Sequence, residues 1–246
     1  MTQQKQFVAT AEAKGKAKQF RLFALLAWAI AIGGEVFAIL KLISNETLTW
    51  LIVAILVILA LSITGSLLWK KANRMDPASE KDKARFFIQN QLGALIAVIA
   101  FLPLVLLIFL NKDIDGKTKG IAGSIAAIAL VAASIVGIDF DPASIEKYTQ
   151  QINEQSTEVM RLTGQDHVYW TPSGNKLHIF EDCQHIRSSV ISDGTVKDAW
   201  EARKIDNNEV CKTCHNRAEK QLGTDDFVPS VEDFEEALDD ALDDAA

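Results

Sequence analysis

Leu92-Gly93-Ala94-Leu95-Ile96-Ala97-Val98-Ile99-Ala100-Phe101-Leu102-Pro103-Leu104-Val105-Leu106-Leu107-Ile108-Phe109-Leu110 is a run without a single charge, and its reading decides the fold. A helix of that length rises about 28 Å, close to the roughly 30 Å hydrocarbon core of a bilayer. Working outward, three more runs of similar length lie at residues 22–43, 48–69 and 121–138, joined by short polar segments. Four such runs in less than half of the chain leave too little polar surface for a bundle of buried soluble helices. The first run is too long for a signal peptide, and no small-x-small cleavage site follows it.

The four runs are expected to form the four-helix transmembrane bundle of a mainly α membrane protein; the His/Cys spacing of residues 168–214 and the placement of lysine and arginine add the expectation of a small α+β zinc-binding cytoplasmic domain. The divisions read from the sequence are a basic N-terminus (1–21), the bundle (22–140), a helical stalk (141–164), a zinc-binding module (165–221) and an acidic tail (222–246).

Orientation follows from lysine and arginine. Eleven lie before the first span or in the second connection: Lys5, Lys14, Lys16, Lys18, Arg21, Lys70, Lys71, Arg74, Lys81, Lys83 and Arg85. The opposite loops hold three, Lys112, Lys117 and Lys119. This asymmetry predicts a multi-pass protein of the cell (inner, cytoplasmic) membrane with both termini in the cytoplasm.

Asp76-Pro77-Ala78-Ser79 follows the second span and Asp141-Pro142-Ala143-Ser144 follows the fourth. Each is expected to start a helix, with Asp at the N-cap and Pro at the first helical position. Lys16-Ala17-Lys18-Gln19-Phe20 similarly resembles Lys83-Ala84-Arg85-Phe86-Phe87. The two pairs are offset by nearly the same length of chain, which suggests a duplicated hairpin, although membrane-proximal helices often begin with such residues. Within the spans Glu35 stands out, because a carboxyl there is costly and is by default a functional candidate. The alternative is a structural role, hydrogen-bonding a serine or threonine such as Ser62 or Thr64.

Past the bundle, Ile145, Tyr148, Ile152, Val159 and Leu162 form a short apolar seam interrupted at Gln155. It suits either homo-oligomerisation through 145–162 or packing on the chain's own domains, and Gly164 is placed to stop the helix.

The metal reading rests on residues 168–214. Val168-Tyr169-Trp170 and Lys176-Leu177-His178-Ile179-Phe180 read as a hairpin around Pro172-Ser173-Gly174-Asn175. Cys183 lies a short step beyond His178, and Cys211-Lys212-Thr213-Cys214 closes the segment. Two thiolates in a Cys-x-x-Cys turn reach one tetrahedral ion, and the distant His/Cys pair completes four ligands, which argues for structural Zn2+. His185 is the alternative nitrogen ligand, with a tighter Cys-x-His bite. Thr195 and Asp198 form a capping box before a short helix containing Trp200. A module of about 50 residues builds too small a core alone, so a metal would supply missing stability.

This segment, with its Tyr-Trp-Thr-Pro-Ser-Gly opening, the Ile191-Ser192-Asp193-Gly194-Thr195 approach to a helix and the final Cys-x-x-Cys, resembles small bacterial zinc-ribbon-like modules. These are distantly similar to the metal-binding domain of the Ada DNA-repair protein. The resemblance implies His178, Cys183, Cys211 and Cys214 as ligands. It implies no activity, because its hosts are varied.

Cys211-Lys212-Thr213-Cys214-His215 also fits a haem-attachment pattern, which the cytoplasmic placement argues against. Four protein ligands leave a metal no open position, and no other nucleophile and base pair is visible, so an enzyme is not expected. Residues 165–220 carry 9 acidic and 8 basic groups, without the positive footprint of a nucleic-acid binder. The net charge of −7 arises mainly from ten acidic residues after Thr224, where Phe234, Leu238, Ala241 and Leu242, with Val231 just ahead, suit one face of a partner-docking helix; the alternative is a solvated tail.

The function these features suggest is a membrane-anchored adaptor or regulatory protein, contacting an unknown protein through the zinc module or the acidic tail. The alternative is a small channel, transporter or pore-forming effector gated by that module.

Overall fold

The computed structural model describes residues 6–187, 189–203 and 208–224. Its elements run α1 (Ala11–Lys41), α2 (Leu48–Met75), α3 (Lys83–Leu110), α4 (Gly116–Gly137), α5 (Ile145–Thr163), β1 (Val168–Trp170), β2 (Lys176–Leu177), β3 (Ser192–Gly194), α6 (Val196–Arg203), β4 (Glu209–Val210) and α7 (Lys212–Thr224). They divide into two compact units. The first extends through Asn153 and includes Trp200 and the α6 residues after it; the second holds Glu154–Ala199 and, from Asn208, β4 and α7. The acidic tail segment beyond Thr224, with its expected helix, lies outside the described residues.

In the first unit α1 to α4 are all long and apolar enough to cross a membrane. Hydrogen bonds fix which helix ends meet. Arg21 pairs with the Asp76 carboxylate at 2.9 Å, the Trp69 indole N–H donates to the Gln89 carbonyl at 2.7 Å, and the Lys70 ammonium donates to the Ile138 carbonyl at 2.6 Å. The start of α1, the ends of α2 and α4 and the start of α3 therefore share one end of the bundle. At the other end the Asp115 amide donates to the Asn45 side chain at 3.0 Å.

The interior is lined by Ala31, Ala38, Leu51, Ile55, Ile58, Phe101, Leu104 and Ile108, while Leu22, Phe23, Ile30, Phe37, Leu102 and Leu106 face outward. Such large apolar residues on the outside suit hydrocarbon rather than water. Close helix approach depends on small residues. A side chain on Gly137 would meet the Ala94 backbone at 2.5 Å, and one on Gly93 would meet the Gly137 carbonyl and Ser66 hydroxyl at 2.9 Å.

The helices extend past the apolar runs. Helix α1 begins well before its span, where Thr10 accepts the Ala13 amide at 3.2 Å as N-cap. The two Asp-Pro turns correct the expectation that they start helices. Asp76 terminates α2, donating its amide to the Ala72 carbonyl at 3.0 Å, and α3 is capped instead by Asp82, which accepts the Arg85 amide at 3.1 Å. The Ser144 hydroxyl, further along the turn than Asp141, accepts the Lys147 amide at 2.9 Å and so opens α5. Pro77 directly follows the C-cap of α2, whereas α4 has already ended at Gly137 before Pro142, and neither proline begins the next helix.

Helix α5 stops at Gly164, whose φ of 76° is the left-handed conformation glycine adopts freely. Its seam is covered inside this chain: Tyr148, Ile152, Val159 and Leu162 are all buried. The Tyr148 ring lies 5.1 Å from both Phe7 and Trp200, within the first unit.

The second unit has two small sheets. β1 pairs antiparallel with β3, and β2 pairs parallel with β4. The expected hairpin is reduced to a single antiparallel bridge between Tyr169 and His178, because each strand finds its main partner further along the chain. The Thr195/Asp198 capping box forms as expected: the Asp198 amide donates to the Thr195 hydroxyl at 3.2 Å, and the Thr195 amide donates to the Asp198 carboxylate at 3.0 Å.

Candidate metal centre

One apolar cluster of the second unit gathers Leu162, Ile179, Ile186, Ala218 and the three cysteines, flanked by Tyr169, Phe180, Ile191 and Val210. Three local structures deliver the four candidate ligand side chains to it. His178 follows β2 and is held by reciprocal backbone bonds with Tyr169, at 2.7 and 2.8 Å. Cys183 sits in a tight turn, its amide donating to the Phe180 carbonyl at 3.2 Å and its carbonyl accepting the Ile186 amide at 3.0 Å. Cys211 is brought beside His178 by its amide, which donates to the Leu177 carbonyl at 2.7 Å in register with the β2–β4 pair. Cys214 occupies the first turn of α7, at an i, i+3 spacing from Cys211 that keeps the two on the same side.

All four residues are buried, and one ligand atom from each lies within 4.8 Å of the others. Cys214 Sγ and His178 Nδ1 are 3.7 Å apart. A tetrahedral ion at ordinary thiolate and imidazole bond lengths separates sulfur from nitrogen by about 3.6 Å and sulfur from sulfur by about 3.8 Å. The group can therefore hold a metal ion with little rearrangement. All three cysteines are free thiols, so no disulfide competes for them.

Crowding of the sulfurs is visible in their acidities. Burial, reinforced by the neighbouring Cys183 sulfur, pushes the Cys214 thiol up to about 12. Burial also raises Cys211, but the backbone amides of Cys214 and Thr213 and the adjacent thiols outweigh it and hold Cys211 below the usual thiol range. A bound metal ion would offset the burial that keeps Cys214 protonated and favour the thiolates.

The remaining histidines point elsewhere. His185, the alternative ligand, is exposed and within 3.1 Å of the Thr213 hydroxyl. His215 lies 2.9 Å from a Glu158 carboxylate oxygen, and His167 lies 3.5 Å from Asp193. His178 is the one drawn into the cluster.

The fastening of this cluster has little trace in the sequence. Arg217 on α7 stacks its guanidinium 4.1 Å from the Phe180 ring centre and pairs with Asp182 at 2.7 Å, tying the Cys214 helix to the Cys183 turn. Leu162, at the end of α5, joins the apolar cluster around the cysteines. Glu158, one turn earlier, is hydrogen-bonded by Arg161 and then by His215, which together hold its carboxyl down to about 2. The apolar seam of α5 was the only sequence signal for these contacts.

No protein-family model, curated protein or solved structure matches the chain.

Proposed function

We propose that the chain is a membrane-anchored adaptor or regulatory protein whose second unit is a zinc-stabilised binding or sensing module. The observation carrying this reading is the buried His178, Cys183, Cys211 and Cys214 group, in a chain that also has four helices able to span a bilayer. A donor set of three thiolates and one imidazole in tetrahedral spacing favours zinc. Four protein ligands leave no site for water activation, so activity is assigned to surfaces rather than to the ion. The likeness to zinc-ribbon-like modules distantly similar to the Ada metal-binding domain agrees with that donor set.

The bundle anchors the chain in the cell membrane with both termini in the cytoplasm, where a reducing environment keeps the three thiols available to metal. The partner is a protein rather than nucleic acid. The buried seam of α5 leaves the surface of the second unit and the acidic tail as its contacts. On that unit, an open depression of about 570 Å³ is lined by Tyr169, Ile179, Phe180, Arg187 and Ile191 among others.

Photo-crosslinking from positions 180 and 187 of the full chain in native membranes tests the reading. A discrete protein adduct, lost when Cys211→Ser removes the metal, supports it. Absence of any adduct, together with an ion or solute flux that Glu35→Gln abolishes in liposomes, would replace it with the transport reading. That second reading has one observation in its favour: Glu35 is buried, and its Oε1 has no hydrogen-bond partner among the described residues.

A further inference from the structure

The two Asp-Pro-Ala-Ser turns are far apart in sequence but lie against each other in the first unit. Ala78 and Ser144 form a parallel bridge, in which the Ile145 amide donates to the Ala78 carbonyl at 3.2 Å. Side chains then cross in both directions. The Ser79 hydroxyl donates to Glu146 Oε1 at 2.5 Å, and the Glu80 amide donates to Glu146 Oε2 at 2.8 Å. Conversely, the Ser144 hydroxyl donates to Glu80 Oε1 at 2.5 Å.

Each serine also accepts a backbone amide of its own turn: Lys81 for Ser79 at 3.2 Å and Lys147 for Ser144 at 2.9 Å. The arrangement is reciprocal. Each turn supplies one serine that caps its own backbone, and one glutamate that accepts the other turn's serine.

We propose that these turns form a two-part latch that fastens the first turn of α5 to the α2–α3 connection. Either turn could satisfy its polar groups with water, so a local capping role does not require the match. A serine hydroxyl donates only one hydrogen, and in both turns that hydrogen is directed across the interface. Charge-assisted bonds of this kind are among the stronger protein hydrogen bonds.

Tyr148, one turn into α5, adds a donor from its hydroxyl to the Arg74 carbonyl at 3.2 Å at the end of α2. Release of the glutamates would therefore free the start of α5 from the bundle while leaving α1 to α4 packed. The latch is a conformational device independent of the metal and of the adaptor reading. It also gives the similarity of the two turns a physical use, because similar turns placed side by side can exchange equivalent bonds.

Amide hydrogen exchange on the full chain in nanodiscs tests it, comparing wild type, Glu146→Gln, Glu80→Gln and the double variant. A cooperative latch predicts that Glu80→Gln, which touches no α5 amide, raises exchange at the Ile145 and Lys147 amides by about tenfold. The double variant should exceed either single by much less than the product of the two. Protection at Leu104–Ile108 should stay unchanged in every variant, showing that the bundle remains folded. Unchanged exchange at Ile145 and Lys147 in Glu80→Gln, or purely multiplicative effects in the double variant, would overturn the latch and leave two independent caps.

Discussion

Replacing Gly137 by alanine adds one methyl group where α4 packs directly on the backbone of α3. The new Cβ would stand 2.5 Å from the Ala94 nitrogen and from the Gly93 carbonyl carbon, against an ordinary contact of 3.4 Å or more. Both neighbours are backbone, so no side chain can rotate away, and α3 and α4 must separate locally by about 0.9 Å, the shortfall between those two distances. A gap of that size forfeits a quarter to a half of each contact's dispersion energy, and overpacking of this kind costs about 1–3 kcal/mol. Alanine's better helix propensity offsets up to about 1 kcal/mol of that loss.

Gly33 and Gly120 are the controls, because a side chain there meets nothing within 4 Å. Gly33→Ala and Gly120→Ala should be neutral or gain up to about 1 kcal/mol. The expected contrast with Gly137→Ala is about 2 kcal/mol, measurable by steric trapping or forced unfolding of the full chain in bicelles. If Gly137→Ala unfolds at the same free energy as Gly33→Ala, the α3–α4 crossing described above is wrong.

Further outcomes concern the second unit and α5. His178→Ala should lose the metal, whereas His185→Ala should retain full stoichiometry, as read by elemental analysis of the purified variants. Glu158 has a folded acidity of about 2 against an ordinary 4.5, so its stabilisation is present above pH 4.5 and lost as pH falls toward 2. Its side chain is about one-third exposed, which limits the contribution to less than about 1 kcal/mol. Denaturant titrations of wild type and Glu158→Gln should therefore differ slightly at pH 6 and converge on acidification. Trp200→Ala removes a 2 % exposed indole packed at a tilt against Tyr148 and should cost about 3–5 kcal/mol, seen as lost exchange protection at Tyr148–Ile152.

The spans were legible because a bilayer demands long apolar runs, and nothing else in the chain mimics them. Their ends were not. Lys14, Lys16 and Lys18 look like a terminus but are good helix formers, so α1 continues through them. Gln89 and Asn90 looked too polar for a span, yet both are buried and their side-chain amides donate to backbone carbonyls within the first unit.

The Asp-Pro turns misled because proline marks a break in either direction, and the capping serine of α5 lay beyond the proline rather than before it. His178, Cys183, Cys211 and Cys214 were readable from spacing, since ligand geometry restricts the chemistry to a few patterns. The pairing of very short strands such as β2 and β4 was not, because it joins Lys176 to Glu209 and Leu177 to Val210, contacts too distant in the chain for any local pattern to announce. The latch was half visible: the repeated turn stood in the sequence, but its reciprocal bonds required the fold.

Metal content of the untagged full chain, purified without chelator and weighed by native mass spectrometry, tests the central claim most directly. One zinc per chain in the wild type, absent from Cys211→Ser, is the predicted result. A folded wild-type chain that carries no metal, with all three cysteines reacting freely with a thiol reagent, would contradict it.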